Sequence, residues 1–200
     1  MTDFLIATNN AHKVEEFKRI LNPLGINVIS AKEAGVDLGD VEETGTTFAE
    51  NAKIKAMSAF KISSLPSIAD DSGLCIDALN GEPGIFTARY GGEKLTQEER
   101  NLYLLDNMKD VADPNRTAKF VCSICCVLSE DDIVTIEAYC EGSIAQKPSG
   151  EGGFGYDPVF RPEGYEQTFA EMSADEKNAI SHRARAVAKL VEYLKHSTLK

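Results

Sequence analysis

Two adjacent acidic residues occupy the middle of IADDSGL, residues 68–74. Neighbouring side chains of an extended strand point to opposite faces, so Asp70 and Asp71 are expected to have different surroundings. One carboxylate could then bind a metal ion or a water, while the other accepts backbone N–H groups. The following Ser72-Gly73 pair is typical of a turn and predicts that the strand ends there. Taken alone, the segment fits an ordinary turn better than a catalytic site.

A second candidate group lies in ATNNAHK, residues 7–13, between a predicted strand and a predicted helix. The amide groups and the dipole at a helix N-terminus favour anions. The polar side chains of this segment would suit a phosphate group, and they are Thr8, Asn9, Asn10 and Lys13. The chain has no Gly-x-x-x-x-Gly-Lys-Ser/Thr motif, so a P-loop is excluded. An ordinary Asn-capped helix explains the same residues equally well.

The glycine-rich segment GEGGFGYDPVF, residues 150–160, matches Gly-x-Gly-x-x-Gly. A dinucleotide-binding fingerprint needs a helix directly afterwards, and Pro158 rules one out, so we reject that interpretation. The loop instead presents Phe154, Tyr156 and Asp157 together, which suits stacking on a planar base plus one polar contact. A structural turn with an aromatic residue in the core is an equally good alternative.

A basic cluster near the C-terminus contains Lys177, His182 and Arg183. On one unbroken helix, Lys177 would share a face with Ser181 but not with the two residues after it. We expect Ser181 to end one helix and begin another, which would turn both following residues towards the same site as Lys177. In a chain short of positive charge, a histidine in such company is a candidate for binding.

The composition is that of a globular chain, with 200 residues, 42% hydrophobic and 26% charged. This length supports one substantial core, and we expect a single domain over residues 1–200. The net charge of −11 argues against binding to nucleic acid or to an anionic membrane surface. No secretory signal pattern opens the chain and no apolar segment reaches membrane-spanning length, so a cytoplasmic location is expected.

The five cysteines lie at positions 75, 122, 125, 126 and 140. An odd number without a secretory signal indicates reduced thiols. Cys122 and Cys125 have the spacing of a zinc ligand pair, but they lie in the apolar run KFVCSICCVLS and no second pair follows. We therefore expect small core residues rather than a zinc site.

The elements that must position these groups alternate between strands and helices. DFLIA and NVISA predict strands on either side of a helix with apolar residues at helical spacing. Capping boxes at Thr47, Thr96 and Ser173 each predict the start of a helix. AKFVCSICCVLS and IVTIEAYCEGSIA predict a long antiparallel hairpin. Together they predict an α/β fold with a mixed twisted sheet and flanking helices.

Six segments occur in the order and spacing of the inosine triphosphate pyrophosphatase family, which hydrolyses non-standard purine nucleoside triphosphates. They are TNNAHK, EETGTTFAENAKIKA, IADDSGL, GEPGIFTARY, GGFGYDPVF and EKNAISHR, and together they cover nearly the whole chain. The chain resembles the bacterial branch most closely, since Tyr156 stands where animal relatives tend to have Trp. The resemblance implies two α/β lobes about a central cleft, a homodimer, and a Mg²⁺-dependent enzyme that converts ITP, dITP and XTP to the monophosphate and pyrophosphate.

The resemblance also implies how the acidic residues act. Asp71 would be the metal-binding catalytic carboxylate that orients or deprotonates the water, with Asp70 assisting. A further metal ligand would be Glu42 or Glu43, of which Glu43 is preferred. Mg²⁺ needs few protein carboxylates when phosphate oxygens and water complete its coordination shell.

The remaining implied contacts are to the substrate. The residues implied for the triphosphate carry hydroxyl, amide or ammonium groups and are Thr8, Asn9, Asn10, Lys13, Lys53 and Ser72. Other residues are implied to bind the base, by stacking on it, by their position in the loop or by contacts with its edge. They are Phe154, Gly155, Tyr156, Asp157, Lys177, His182 and Arg183. Water would attack the α-phosphorus in line, with pyrophosphate leaving.

Other phosphate-handling classes fit the residues less well. A haloacid-dehalogenase-like phosphatase also uses two aspartates, but they lie one residue apart, whereas Asp70 and Asp71 are adjacent. The Maf-type pyrophosphatases share the general fold by analogy and prefer other nucleotides. A catalytically silent nucleotide sensor would keep the phosphate and base pockets but has no need of Asp71 together with Glu43.

Overall fold

The computed structural model describes residues 3–39 and 41–197. Within them, the strands form a mixed six-stranded sheet in the order β2-β1-β3-β4-β5-β6. The strands are β1 (Phe4–Ile6), β2 (Val28–Ser30), β3 (Ser67–Ile76), β4 (Thr117–Val127), β5 (Ile133–Ile144) and β6 (Phe160–Pro162). β1 pairs in parallel with β2 and β3, and β5 pairs antiparallel with β6. The mixed sheet with flanking helices confirms the predicted fold class.

The helices begin where the sequence contains capping residues. They are α1 (Ala11–Leu21), α2 (Ala31–Ala34), α3 (Phe48–Ser63), α4 (Gln97–Asn107), α5 (Ala174–Ile180) and α6 (His182–Ser197). Asn10 caps α1 through its side chain, and complete capping boxes open α4 at Thr96 and α5 at Ser173. At Thr47 the box is incomplete, because the Glu50 carboxylate accepts from the preceding threonine instead.

The break predicted at Ser181 is confirmed. α5 ends at Ile180, Ser181 is extended with φ −64° and ψ 155°, and α6 begins at the next residue. Strand β6 was not predicted, because three residues are too few to reveal an alternating pattern. Among the described residues, no helix combines the length and the apolar character needed to cross a membrane.

The predicted end of β3 just after the two aspartates is wrong. The strand continues through Ser72 and Gly73 and ends at Ile76. Leu74 and Ile76 are fully buried in an apolar cluster, so the alternation of a strand resumes directly after the glycine. The prediction gave more weight to the turn composition of Ser-Gly than to these buried residues.

The chain divides into two compact units, which we describe separately. Unit 1 comprises the described residues of 1–71, 122–138 and 183–200, and unit 2 comprises 72–121 and 139–182. This division is consistent with the predicted two lobes. The central cleft and the single functional domain stay predictions.

In unit 1 the sheet has a different apolar cluster on each face. Ile68 packs in a cluster with residues of α1 and α6, such as Phe17 and Leu190. Ala69, the next residue, packs in a second cluster with residues of α3, such as Ala56. The two faces of β3 therefore meet different helices, which determines what surrounds the residues that follow.

Unit 2 has an aromatic core. Phe120 contacts the ring of Phe160 at 4.7 Å between centroids and that of Phe169 at 6.1 Å. Tyr156, from the glycine-rich loop, is buried in the same cluster. This core supports the segments that carry the predicted base contacts.

Four of the five cysteines are buried, and the fifth, Cys75, is half-buried. Burial raises the pKa of Cys126 to about 12, and the neighbouring Cys125 and Asp132 add to the shift. Such a thiol stays protonated and behaves as a small apolar side chain. The predicted core placement is thus confirmed for the four buried residues.

Candidate active site

The two adjacent aspartates belong to different surroundings within unit 1. Since Ile68 faces α1 and α6 while Ala69 faces α3, strand alternation directs Asp70 to the first face and Asp71 to the second. Both side chains are buried. Burying an ionised carboxylate is unfavourable unless cations and hydrogen-bond donors compensate it, so each aspartate needs partners of its own.

Asp70 lies in an ion-pair network with α1 and α6. Its Oδ2 is 2.9 Å from Lys13 Nζ and 2.9 Å from Arg183 Nη2, and the Asp70 side chain is 0% exposed. Arg183 also donates through Nη1 to Glu16, which lies one turn after Lys13 on α1. Burial alone would lower the pKa of Arg183, but the carboxylates of Asp70 and Glu16 outweigh it and raise that pKa.

Asp71 shares an ammonium group with Glu43. Lys55 Nζ lies 3.2 Å from Asp71 Oδ1 and 2.9 Å from Glu43 Oε1. Asn51, one turn before Lys55 on α3, donates from Nδ2 to Asp71 Oδ2 at 3.3 Å. Both carboxylate oxygens of Asp71 therefore have partners on α3.

The loop that carries Glu43 is attached to the same helix. Gly45 N donates to Asn51 Oδ1 at 2.8 Å. A Cβ atom at Gly45 would lie 2.6 Å from that oxygen, so a larger residue could not approach as closely. The loop, α3 and β3 thus hold Glu43, Lys55 and Asp71 together.

The charges in this group depend on one another. Burial raises the pKa of Asp71, Lys55 opposes the shift, and Glu43 adds to it. For Lys55, burial alone would lower the pKa, but the charges of Asp71, Asp70 and Glu43 outweigh it and raise the pKa. The lysine is therefore a protonated cation held between two carboxylates.

These carboxylates are the best metal-binding donors of the predicted set. Among residues 3–39 and 41–197, no three His, Cys, Asp or Glu side chains gather into a metal-binding group. Asp71 and Glu43 nevertheless converge on one cation, the Lys55 ammonium. Glu42 and Glu43 are both exposed residues, so the contact with Lys55 is what favours Glu43. Mg²⁺ commonly uses one or two protein carboxylates and completes its shell with phosphate and water. The pair fits such an ion in company with a phosphate ligand.

The N-terminus of α1 has the predicted capping geometry. Asn10 Oδ1 accepts from the backbone N–H of His12 at 3.0 Å and of Lys13 at 3.3 Å. Thr8 Oγ1 accepts from Asn10 N at 3.1 Å, and Asn9 is exposed. Lys13 belongs to the same first turn of α1 as these backbone amides, and its ammonium contacts Asp70.

The sequence prediction chose Lys53 where the structure brings Lys55 to the carboxylates. The side chain of Lys53 is exposed. Two residues apart on a helix are separated by about 200° around its axis, so the two lysines point in different directions. The available signal was the spacing of Asn51 and Lys55, four residues apart and hence on one face of α3. Glu16, three residues after Lys13, was missed in the same way.

Apart from Arg183, the predicted base contacts lie in unit 2, where two of them form a further buried ion pair. Lys177 Nζ is 2.8 Å from Asp157 Oδ2, with side-chain exposures of 6% and 3%. Asp157 Oδ2 also accepts from Phe154 N at 2.8 Å. The Lys177 ammonium lies 4.7 Å from the centroid of the Phe154 ring, in a cation–π contact.

Glycine is required where the loop passes Asp157. Gly153 has φ +68°, and a Cβ atom there would lie 2.1 Å from Asp157 Oδ2. The next glycine, Gly155, accepts from Asn101 Nδ2 at 3.1 Å through its carbonyl oxygen. Asn101, a residue of α4 that the sequence analysis missed, thus fixes the position of the loop that carries Phe154.

The remaining predicted residues have distinct placements. Tyr156 is buried and donates to Thr87 O at 3.1 Å, so it anchors the loop rather than lining a surface. Burial raises its pKa above the ordinary range of a tyrosine. His182 is buried against the ring of Phe120, 4.7 Å away and 12° from parallel. Ser72 is half-buried in β3.

Arg183 is separated from this group in the division of the chain. The boundary between the units falls between His182 and Arg183, and the contacts of Arg183 described above are to Asp70 and Glu16 in unit 1. That His182 and Arg183 both reach the same site as Lys177 stays a prediction. The helix break at Ser181 was foreseen, but the destination of each following side chain depends on tertiary packing.

A mixed α/β sheet with paired carboxylates and lysines beside a helix N-terminus is the arrangement expected of a protein that handles phosphate groups. Comparison with known proteins agrees, because residues 4–193 match the Ham1 family and the chain belongs to that family.

Relatives and solved structures are similar over nearly the whole chain. A dITP/XTP pyrophosphatase of Clostridium perfringens is 47% identical, with 98% of each chain covered. The dITP/XTP pyrophosphatase of Bacillus subtilis is 45% identical, covering 97% of this chain and 98% of that protein. The structure of a HAM1 protein from Coxiella burnetii is 41% identical with a TM-score of 0.87, covering 98% of this chain and 100% of that one. The predicted family resemblance is thereby confirmed.

The buried pair of Lys177 and Asp157 yields a test of stability. Replacing Lys177 with Met should lower the free energy of unfolding by about 3 to 5 kcal/mol, because Asp157 stays buried without this ammonium. Urea denaturation would measure the loss. The control is Lys109→Met, which breaks an exposed pair with Asp106 and should cost about 1 kcal/mol or less.

Adding Asp157→Asn to Lys177→Met should recover part of the loss, since the buried charge is then removed. Equal costs for Lys177→Met and Lys109→Met would contradict the structural assignment of the pair.

Proposed function

We propose that the chain is a nucleoside triphosphate pyrophosphatase that converts ITP, dITP and XTP to the monophosphate and pyrophosphate. The observation that carries the proposal is the convergence of Asp71 and Glu43 on one cation position in a member of the Ham1 family. Relatives that are 47% and 45% identical over almost their whole length bear the name dITP/XTP pyrophosphatase. Purine nucleoside triphosphates are therefore the proposed substrates.

Asp71 and Glu43 are the proposed ligands of Mg²⁺, which when bound would neutralise phosphate charge and polarise the α-phosphoryl group. Asp71 orients the attacking water and accepts its proton as the new P–O bond forms. The bond between the α-phosphorus and the bridging oxygen breaks, and pyrophosphate leaves with the electron pair. The proton transfer is worth roughly 10² to 10⁴-fold, and charge stabilisation should contribute more.

The triphosphate is proposed to bind to the cations of unit 1. Lys13 at the start of α1 forms one part of this site, and Thr8 and Asn10 arrange the turn by accepting from its backbone amides. Lys55 forms the other part and takes the role that the sequence analysis gave to Lys53. In this proposal Asp70 does not react but holds Lys13 in place together with Arg183.

The base is proposed to be recognised by the Phe154 loop of unit 2. Phe154 has the Lys177 ammonium over its ring and would offer stacking to a purine. Hypoxanthine and xanthine carry a 6-keto acceptor where adenine carries an amino donor, so Lys177 and His182 are the proposed donors at that edge. A site built for hydrogen bonding can reject the mismatched base by roughly 10⁴-fold.

The function is tested by a product assay over a panel of nucleoside triphosphates. ITP, dITP and XTP should release pyrophosphate and no free phosphate, so an inorganic-phosphate signal should appear only after a pyrophosphatase is added. ATP should be a poor substrate because it lacks the 6-keto group. Direct release of phosphate would refute the proposed reaction. Equal kcat/KM for ATP and ITP would refute the proposed base recognition.

Asp71→Asn should reduce kcat by at least about 10³-fold while leaving the fold unchanged. The amide is nearly isosteric but can neither accept the proton nor hold the metal as a charged ligand. Circular dichroism would check the fold, and Asp106→Asn, at an exposed position, is the control. Activity of Asp71→Asn within tenfold of the unchanged chain would show that the reaction occurs elsewhere.

We further propose that the enzyme acts in the cytoplasm as a homodimer. The location is supported by the five cysteines, none of which forms a disulfide in the part of the chain that the structure describes, as suits a reducing compartment, and the dimer by the family resemblance. Sedimentation at micromolar concentration should give a species of twice 21.8 kDa. A single species at the monomer mass would disprove the dimer.

A further inference from the structure

Lys55 occupies a position that the proposed function assigns to a metal ion. Its ammonium lies 2.9 Å from Glu43 Oε1 and 3.2 Å from Asp71 Oδ1, and its side chain is 15% exposed. These are the two carboxylates proposed to bind Mg²⁺. A metal ion and an ammonium cannot both have the same oxygens as close partners, so their occupation of this position must be competitive.

The competing ammonium is held in place by the fold. Asn51 and Lys55 lie one turn apart on α3, and Asn51 donates to the second oxygen of Asp71 at 3.3 Å. The loop that carries Glu43 is tied to Asn51 through Gly45 N. Lys55 is therefore pre-positioned between the carboxylates by three segments of unit 1, and it is not a solvent-exposed lysine making an incidental contact.

We propose that Lys55 is the cation of this site in the nucleotide-free protein, and that it couples metal binding to triphosphate binding by moving from the carboxylates to the phosphates. The inference rests on the proposed function. A metal ion that arrives alone must displace Lys55 and leave a partly buried ammonium without its carboxylates. A metal ion that arrives with a triphosphate brings a new anion for the same ammonium.

The direction in which metal affinity changes when Lys55 loses its charge distinguishes this coupling from a role in phosphate binding alone. If Lys55 only bound phosphate, removing its charge would weaken nucleotide binding and leave nucleotide-free metal binding unchanged. If Lys55 competes with the metal, removing its charge should strengthen metal binding in the absence of nucleotide. The coupling between metal and nucleotide should fall in the same variant, because the ammonium whose exchange links the two ligands has been removed. The fall should be the same in either order of binding, since each ligand changes the affinity for the other by the same factor.

The test is Mn²⁺ binding to the protein, followed by the electron paramagnetic resonance signal of the free ion, with and without α,β-methylene-ITP. The Mn²⁺ that the analogue binds by itself is measured without protein and subtracted. Without nucleotide, Lys55→Gln should bind Mn²⁺ at least about tenfold more tightly than the unchanged chain. With the analogue, the unchanged chain should bind Mn²⁺ at least about tenfold more tightly than without it, and this gain should shrink in Lys55→Gln.

Three further variants locate the effect. Lys53→Gln removes the same charge from an exposed position of α3, so Mn²⁺ affinity should change by about twofold or less. Lys55→Arg keeps a cation and should bind Mn²⁺ no more tightly than the unchanged chain. Combining Lys55→Gln with Asp71→Asn should abolish the tightened binding, because the carboxylate is lost. Lys55→Met serves if the glutamine variant does not fold.

The outcomes separate this inference from the proposed function. If the unchanged chain binds no Mn²⁺ even with the analogue, the proposed metal site and the inference both fail. If it binds Mn²⁺ with the analogue, but nucleotide-free affinity is unchanged or weaker in the glutamine and methionine variants, the inference alone is overturned. Tightening of equal size in Lys53→Gln would also overturn it, since a general charge effect would then suffice.

Discussion

The burial of two consecutive carboxylates in β3 is the constraint on which unit 1 depends. An ionised carboxylate in the interior requires cations or hydrogen-bond donors close by, and Asp70 and Asp71 are both buried. Strand alternation sends them to opposite faces, so each face of the sheet supplies its own cations. α1 and α6 provide Lys13 and Arg183 for one face, and α3 provides Lys55 for the other.

This requirement links stability to the proposed chemistry. The lysines that would bind phosphate are the ones that now compensate the aspartates, so a ligand that draws a lysine away must also leave the carboxylate compensated. On the first face Arg183 can keep its contact with Asp70 while Lys13 moves, because the two cations approach the same oxygen independently. On the second face the metal ion would compensate the charge of Asp71 when Lys55 moves. Asp70 is thus compensated by a fixed guanidinium, and Asp71 by a cation that can be exchanged.

Features that depend on neighbouring residues could be predicted from the sequence, whereas those set by packing could not. The cap at Asn10 and the break at Ser181 each rest on a few local contacts. The choice between Lys53 and Lys55 depends on which flank of α3 faces β3, and the buried alanines of that helix lie between the two flanks. The extension of β3 beyond Asp71 depends on a second core, in unit 2, that no local pattern reveals.

The overall acidity of the chain gives these ion pairs a consequence for substrate choice. The net charge is −11, and the two lysines that unit 1 would offer to a triphosphate, Lys13 and Lys55, each already contact a carboxylate. A triphosphate on its own would add negative charge to a region whose cations are already balanced. A triphosphate that arrives with a divalent cation brings part of its own compensation, and the carboxylates released by a lysine become ligands for that cation. The acidic composition therefore favours the metal complex of a nucleotide over the nucleotide alone. This preference does not require any side chain to bind the metal before the nucleotide arrives.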